Sequence, residues 1–220
     1  MLQPPTFKFL KDLKKNNNKP WFDEHRKQYE AAKADFIALV NGVIEAHGKK
    51  DASIASLKAK ECIFRINRDV RFSKNKAPYK NNMAASINSK GKKSMSAGYY
   101  LHCEPGKSFI AGGIYMPMPE DLKKIRQEID YNLDEFKKII ATKKFKTVYT
   151  ELSAGEDMKL SRPPKGYEPG NPAIEFIKLK SFIATTPITD AALTSKDLTK
   201  KIVQAFEAIQ PLIQFVNRAL

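Results

Sequence analysis

Apolar residues recur at three- and four-residue steps near both ends of the chain, while β-branched and aromatic residues cluster in its middle. This predicts helices at the ends and strands between them. Phe9, Leu10 and Leu13 share one side of a short helix over residues 6–15, which Asn16-Asn17-Asn18 stops. Asn18 is placed to cap a second helix, and Pro20 suits that helix's first turn, where a missing N–H costs nothing. Phe22, His25, Tyr29, Ala32, Phe36, Leu39, Val43 and His47 then form one stripe, predicting a helix from 20 to 47 that Gly48 ends.

A polar connection over 49–60 leads to a predicted strand at Glu61–Ile66, with Cys62, Phe64 and Ile66 on one face and Ile63, Arg65 and Asn67 on the other. Asn67–Lys76 reads as a loop, and Ala77 is biased to an extended conformation by Pro78. A strand at Met83–Ile87 and an exposed turn at Asn88–Ser94 follow. Residues 99–103 and 108–111 flank Glu104-Pro105-Gly106-Lys107, whose central Pro-Gly predicts a hairpin closed by a type II turn. Gly112-Gly113 in the second arm leaves room for close approach by another backbone or a ligand.

Leu122, Ile125 and Ile129 predict a helix over 120–130, and Leu133, Phe136 and Ile140 continue the pattern. Residues 145–152 fit a short helix or a strand, and the Pro- and Gly-rich stretch 153–172 is a long loop. A short helix over 172–180, an extended 182–186, and a last helix capped by Ser195 and bent at Pro211 complete the chain. The pattern is that of a single α+β domain: helical 1–48, a sheet region 61–116, helical 120–142, a loop 153–172 and a helical C-terminus 195–219. Its antiparallel sheet of about four or five strands carries the long N- and C-terminal helices.

Charge changes the picture more than composition does. Hydrophobic residues make up 42% of 220, ordinary for a globular chain with a real core, but the net charge is +15. Residues 51–100 hold eleven cations and three acids, so more than half the excess sits in less than a quarter of the chain. A concentrated basic region attracts anions: nucleic acid, phosphorylated small molecules, or an acidic surface. No apolar run approaches the ~18–20 residues of a membrane span. The N-terminus lacks a signal-peptide plan, and Cys62 and Cys103 fit neither a metal motif nor a disulfide framework. A cytoplasmic protein is the expectation. Phosphate-loop, dinucleotide, zinc-hydrolase and nucleophile-elbow signatures are missing, and no cofactor is implied.

The segment from Arg65 to Lys80 holds six cations and one acid, Asp69. Arg65, Arg68 and Arg71 offer planar forks for phosphate or carboxylate oxygens, Lys74 and Lys80 offer point charges, and Tyr79 could stack or donate. Arg162 and Lys165, with Lys159, form a second basic group that either closes over the first as a lid or is a solvated loop face. Tyr100, His102 and Glu104 share one predicted strand face, the arrangement general acid–base chemistry needs. Three readings follow. The first is binding of an anionic, phosphate-bearing ligand, small molecule or nucleic acid, through residues 65–80. The second is an enzyme on an anionic substrate with His102 or Asp69 moving protons. The third is a structural or interaction protein whose arginines pair internally.

Phe64–Lys80, Gly98–Gly106, Gly112–Pro117, Arg162–Tyr167 and Asn171–Phe182 together resemble the bacterial and fungal domain-of-unknown-function family 2461, over nearly the whole chain. The chain departs from that family's pattern at Tyr115, where Trp is expected, and at Asn171, where His is. The resemblance implies a shared fold and supplies no catalytic residues.

Overall fold

The computed structural model of the protein describes residues 1–89 and 91–220, and all their side chains except that of Glu156. Helix α1 (Pro4–Lys15) ends at Asn16, whose N–H donates to the Asp12 carbonyl at 3.0 Å. Asn18 caps α2 (Lys19–Glu24), its side-chain oxygen accepting from the Trp21 N–H at 3.0 Å. The stripe expected to run unbroken from 20 to 47 divides at His25, and α3 covers Arg26–Gly48. The His25 ring stacks on Trp21 at 4.0 Å and sets its Nδ1 2.8 Å from the Trp21 carbonyl, a local contact that competes with the helical path.

The strand expected at 61–66 begins instead as a helical turn, α4 (Ala59–Cys62). The Glu61 carboxylate accepts from the Lys58 N–H at 2.8 Å and the Asn41 side chain accepts from the Ala59 N–H at 2.9 Å, so the turn's first donors are satisfied and helix wins over β propensity. Beyond it the chain is extended, with isolated antiparallel bridges Ile63↔Ala85 and Asn67↔Tyr79. Phe64 is 38% exposed and does not share the buried side of Cys62 and Ile66.

Strands β1 (Met83–Ile87), β2 (Gly98–Cys103), β3 (Phe109–Ile114) and β4 (Phe182–Pro187) form one antiparallel sheet in that order. Lys90, in the expected exposed turn 88–94, lies outside the described residues. Asn88 and Gly91 of that turn are buried, and Gly91–Lys93 is a 3-10 turn. The β2–β3 hairpin closes as its Pro-Gly pair predicts: Gly106 has φ +77° and the Lys107 N–H reaches the Glu104 carbonyl at 2.9 Å.

Helices α5 (Pro119–Tyr131), α6 (Leu133–Ala141) and α7 (Lys143–Tyr149) follow β3, so residues 145–149 are helical. The short α8 (Ile174–Ile177) precedes β4, and α9 (Asp190–Leu193), which the apolar pattern did not mark, follows it. In the last helix, α10 (Leu198–Arg218), Pro211 lies inside without ending it. The fold is α+β. Among the described residues no helix is long and apolar enough to cross a membrane.

The described residues gather into two compact units. The first comprises Met1–Lys93, Tyr100–Ile110 and Pro187–Gln204, and the second Ser94–Tyr99, Ala111–Thr186 and Ala205–Leu220. The first is built on an aromatic cluster in which Phe9 meets Trp21, Phe22 and Tyr29 at ring separations of 6.0–6.3 Å. In the second, Phe136 meets Phe176, Phe182 and Phe215, and the Tyr149 hydroxyl donates to the Ala205 carbonyl at 2.9 Å. Each buried Phe contributes about 1.5–3 kcal/mol by leaving water.

The Gly112-Gly113 approach is made by a neighbouring backbone. Gly113 has φ +111°, and a Cβ there would lie 2.0 Å from the Phe182 carbonyl oxygen of β4. Gly113→Ala combines backbone strain with a clash that only strand separation relieves, each about 1–3 kcal/mol. Its melting temperature should fall by at least about 4 °C, at ~2–4 °C per kcal/mol for a chain this long. Gly106→Ala meets open space and should cost only the left-handed backbone penalty of about 1–2 kcal/mol. Thermal melts showing the two variants equally stable would contradict the close β3–β4 approach.

Candidate anion-binding groove

The basic segment is a clamped hairpin. One arm, residues 63–68, and the other, 78–85, are joined by Phe64 N–H to Ala84 O at 2.9 Å, Lys80 N–H to Ile66 O at 2.8 Å and Arg68 N–H to Pro78 O at 2.9 Å. Asn17 fixes this hairpin to the α1–α2 connection. Its carboxamide donates to the Tyr79 carbonyl at 2.9 Å and accepts from the Tyr79 N–H at 3.0 Å, pairing both backbone groups as a neighbouring strand would. The Tyr79 ring, expected to face a ligand, stacks on Phe22 at 4.0 Å and is buried, where it anchors the hairpin.

The hairpin's cations sort into distinct kinds. Arg68 is turned inward: its guanidinium donates to the Ala77 carbonyl at 2.8 Å and to the Ser73 hydroxyl at 3.3 Å, which closes the loop. Arg71 is exposed and makes a two-pronged bond to Asp69 at 3.0 and 2.7 Å. Those bonds hold the Asp69 carboxyl below the usual carboxylate range. Lys76 donates to the Val70 carbonyl at 3.1 Å, and Lys74 is exposed on the loop. Arg65 makes no hydrogen bond or ion pair among the described residues. The Lys80 ammonium lies 5.3 Å over the exposed Phe64 ring, and burial and the charge of Arg65 both depress its pKa. Two cations crowd each other there without a carboxylate between them.

Arg65 and Phe64 open onto a groove of about 440 Å³ in the first unit, between α3 and the 60–66 segment. Its cations are Lys33, Lys60, Arg65 and Lys92, its aromatic walls are Tyr29, Phe36 and Phe64, and among the described residues no carboxylate lines it. Lys92 donates to the Ile63 carbonyl at 2.7 Å and the Lys60 carbonyl at 3.3 Å, which fixes its ammonium at the rim with one donor left. Lys33 is held loosely, 3.5 Å from Glu30 and 5.7 Å over the Tyr29 ring. The groove therefore includes one of the expected ligand residues, Arg65, with Lys80 beside it, and not Arg68, Arg71, Lys74 or Tyr79.

Sequence reading missed Lys33, Lys60 and Lys92. Lys33 had a usable signal, because it falls one turn beyond Tyr29 and one turn before Ile37 on the same helix face. Lys60 and Lys92 lie in the most basic stretch but far apart in sequence, and only the pairing of the hairpin with β1 brings them together.

Tyr100, His102 and Glu104 do share a face. The Tyr100 hydroxyl lies 3.2 Å from His102 Nδ1, Glu104 lies 3.4 Å from His102 Nε2, and Lys14 lies 3.8 Å from the other Glu104 oxygen. Phe109 stacks on the imidazole at 4.7 Å, and burial raises the pKa of the Tyr100 phenol. Both ring nitrogens thus have partners within the set, and His102 is not among the groove's walls. Arg162 and Lys165 are exposed and belong to the second unit. Asn171 donates to Asp130 at 2.7 Å and accepts from the Ala173 N–H at 2.6 Å, a loop-shaping role, and Tyr115 is exposed.

The model of a family described as "conserved hypothetical protein (DUF2461)" matches residues 5–215. No curated protein and no solved structure matches the chain.

Two substitutions separate anchoring from binding. Asn17→Ala strips both backbone groups of Tyr79 of their partner and should cost about 2–4 kcal/mol; Arg68→Ala frees the Ala77 carbonyl and should cost about 1–2 kcal/mol. Arg65→Ala, without a partner to lose, should melt with the wild type. Chemical denaturation checks the order, and an Arg65→Ala loss as large as that of Arg68→Ala would reverse these assignments.

Proposed function

The chain belongs to the DUF2461 family, and from that premise we propose that it binds a phosphate-bearing ligand in the groove between α3 and residues 60–66. The observation that carries this reading is four cations around aromatic walls that hold no carboxylate among the described residues, Lys33 alone of the four having an ion pair, with Glu30 outside the walls. Like charges so placed repel one another, and an anion between them turns that repulsion into attraction. Arg65 supplies a planar fork for two oxygens, Lys60 and Lys92 supply point charges at the rim, and Phe64 offers a flat apolar face.

The reading in which arginines orient a substrate for His102 finds no support in the groove's walls, where Arg65 stands without His102 or Arg68. Internal pairing does describe Arg68 and Arg71, which leaves Arg65, of the three arginines in the hairpin, available to a ligand. We place the protein in the cytoplasm, a reading that two buried, unpaired cysteines favour. Burial pushes the Cys62 thiol up to about 11, so it is a packed hydrophobe rather than a nucleophile at neutral pH.

Calorimetric titration with pyrophosphate tests the groove. Arg65→Glu removes a charge-assisted pair worth about 1.5–3 kcal/mol and adds repulsion, so binding should fall at least ~10-fold. The thermal midpoint should stay put. Unchanged pyrophosphate affinity in Arg65→Glu would overturn the reading.

A further inference from the structure

Phe72, at the tip of the basic hairpin, is 96% exposed. The loop that presents it has a defined shape. Arg68 ties Ala77 and Ser73, Lys76 ties Val70, and the Ser73 N–H reaches the Val70 carbonyl at 3.3 Å. Asn75 accepts from the Ala77 N–H at 2.9 Å. An aromatic ring held out to water by this many internal bonds forgoes burial that a softer loop would allow. Its surroundings are cationic: Arg71 lies 5.7 Å from its ring centroid, Lys74 and Lys76 follow in the same loop, and the loop's one acid is held by Arg71.

This surface suits a polyanion that also carries flat apolar faces. The same hairpin holds Phe64 and Arg65 at its base, with Arg65 seven residues from Phe72, a span of at most about 24 Å along extended backbone. At the ~3.4 Å spacing of stacked nucleotides, about seven would bridge base and tip. A lipid surface would meet the tip alone and leave the groove unused, whereas a single strand offers phosphates to both and a base to each exposed ring. Resting on the groove reading above, we infer that the ligand is a single-stranded nucleic acid, with one base stacked on Phe72 and the backbone running past Lys74 to Arg65.

The test compares pyrophosphate with an oligothymidylate of about a dozen residues, longer than the ~7-nucleotide span. Fluorescence anisotropy should show the oligomer binding more tightly than pyrophosphate, with a log–log salt slope of about −2 for three phosphate contacts at ~0.7 each. Phe72→Ala should weaken the oligomer ~5- to 150-fold at an unchanged salt slope, while Phe72→Tyr retains binding. Pyrophosphate affinity and melting temperature should not respond to Phe72→Ala. Pyrophosphate binding with an oligomer no tighter, or indifferent to Phe72→Ala, overturns this inference and leaves the groove reading standing. Failure of both probes removes both. Phe72-dependent sedimentation with phosphatidylserine vesicles, without oligomer binding, overturns it in favour of a lipid surface.

Discussion

The pairing of Asn17 with both backbone groups of Tyr79 is the constraint on which the basic hairpin depends. A peptide unit in a half-buried arm has one donor and one acceptor to satisfy, and no neighbouring strand reaches this one. A single carboxamide does both jobs, and the stacked Phe22–Tyr79 rings add about 0.5–1.5 kcal/mol beyond their buried area. Tyr79 fixes the pairing Asn67↔Tyr79, and beyond it the arm from 79 to 85 carries two more residues than its partner before the strands pair again at Ile63↔Ala85. Between the two pairings, Phe64 and Arg65 lie in the groove beside α3. The hairpin that carries the cations is thus held by an uncharged residue 62 positions upstream of Tyr79.

The cations then divide by what surrounds them. A guanidinium that meets a carbonyl and a hydroxyl, as Arg68 does, is part of the framework. One that meets a carboxylate in open water, as Arg71 does, adds little stability, because exposed ion pairs are worth about 0–1 kcal/mol. Arg65 and Lys80 differ from both, since each sits near the other's charge and neither makes an ion pair among the described residues, although Arg65 still feels Asp69 at longer range. Native chains tolerate such an arrangement at a cost in self-repulsion, and an incoming anion removes that cost.

Much of this was legible in the sequence. The α+β layout, the Asn18 cap, the Pro105-Gly106 turn and the Gly113 approach rest on local chemistry that each stretch carries within itself. Tyr100, His102 and Glu104 were placed on one face by strand periodicity alone. The break at His25 and the helical turn at Ala59–Cys62 were not legible, because each turns on a side chain bonding a particular backbone group. The division of labour between Arg65, Arg68 and Arg71 was hidden for a different reason. Three arginines at three-residue spacing look alike until the loop's path shows which carbonyls lie within reach. The groove's other cations come from α3, α4 and the 3-10 turn, brought together by pairings that no local pattern encodes.

Amide and guanidinium resonances followed during a pyrophosphate titration test the central claim most directly. Saturable shifts confined to the Arg65 guanidinium, the Ile63–Ile66 amides and the Lys92 amide are the expected result, with the Arg68 guanidinium unmoved. Shifts centred on Arg68 and Arg71, on the Arg162–Lys165 loop, or nowhere along the chain would contradict the assignment of the groove as the anion site.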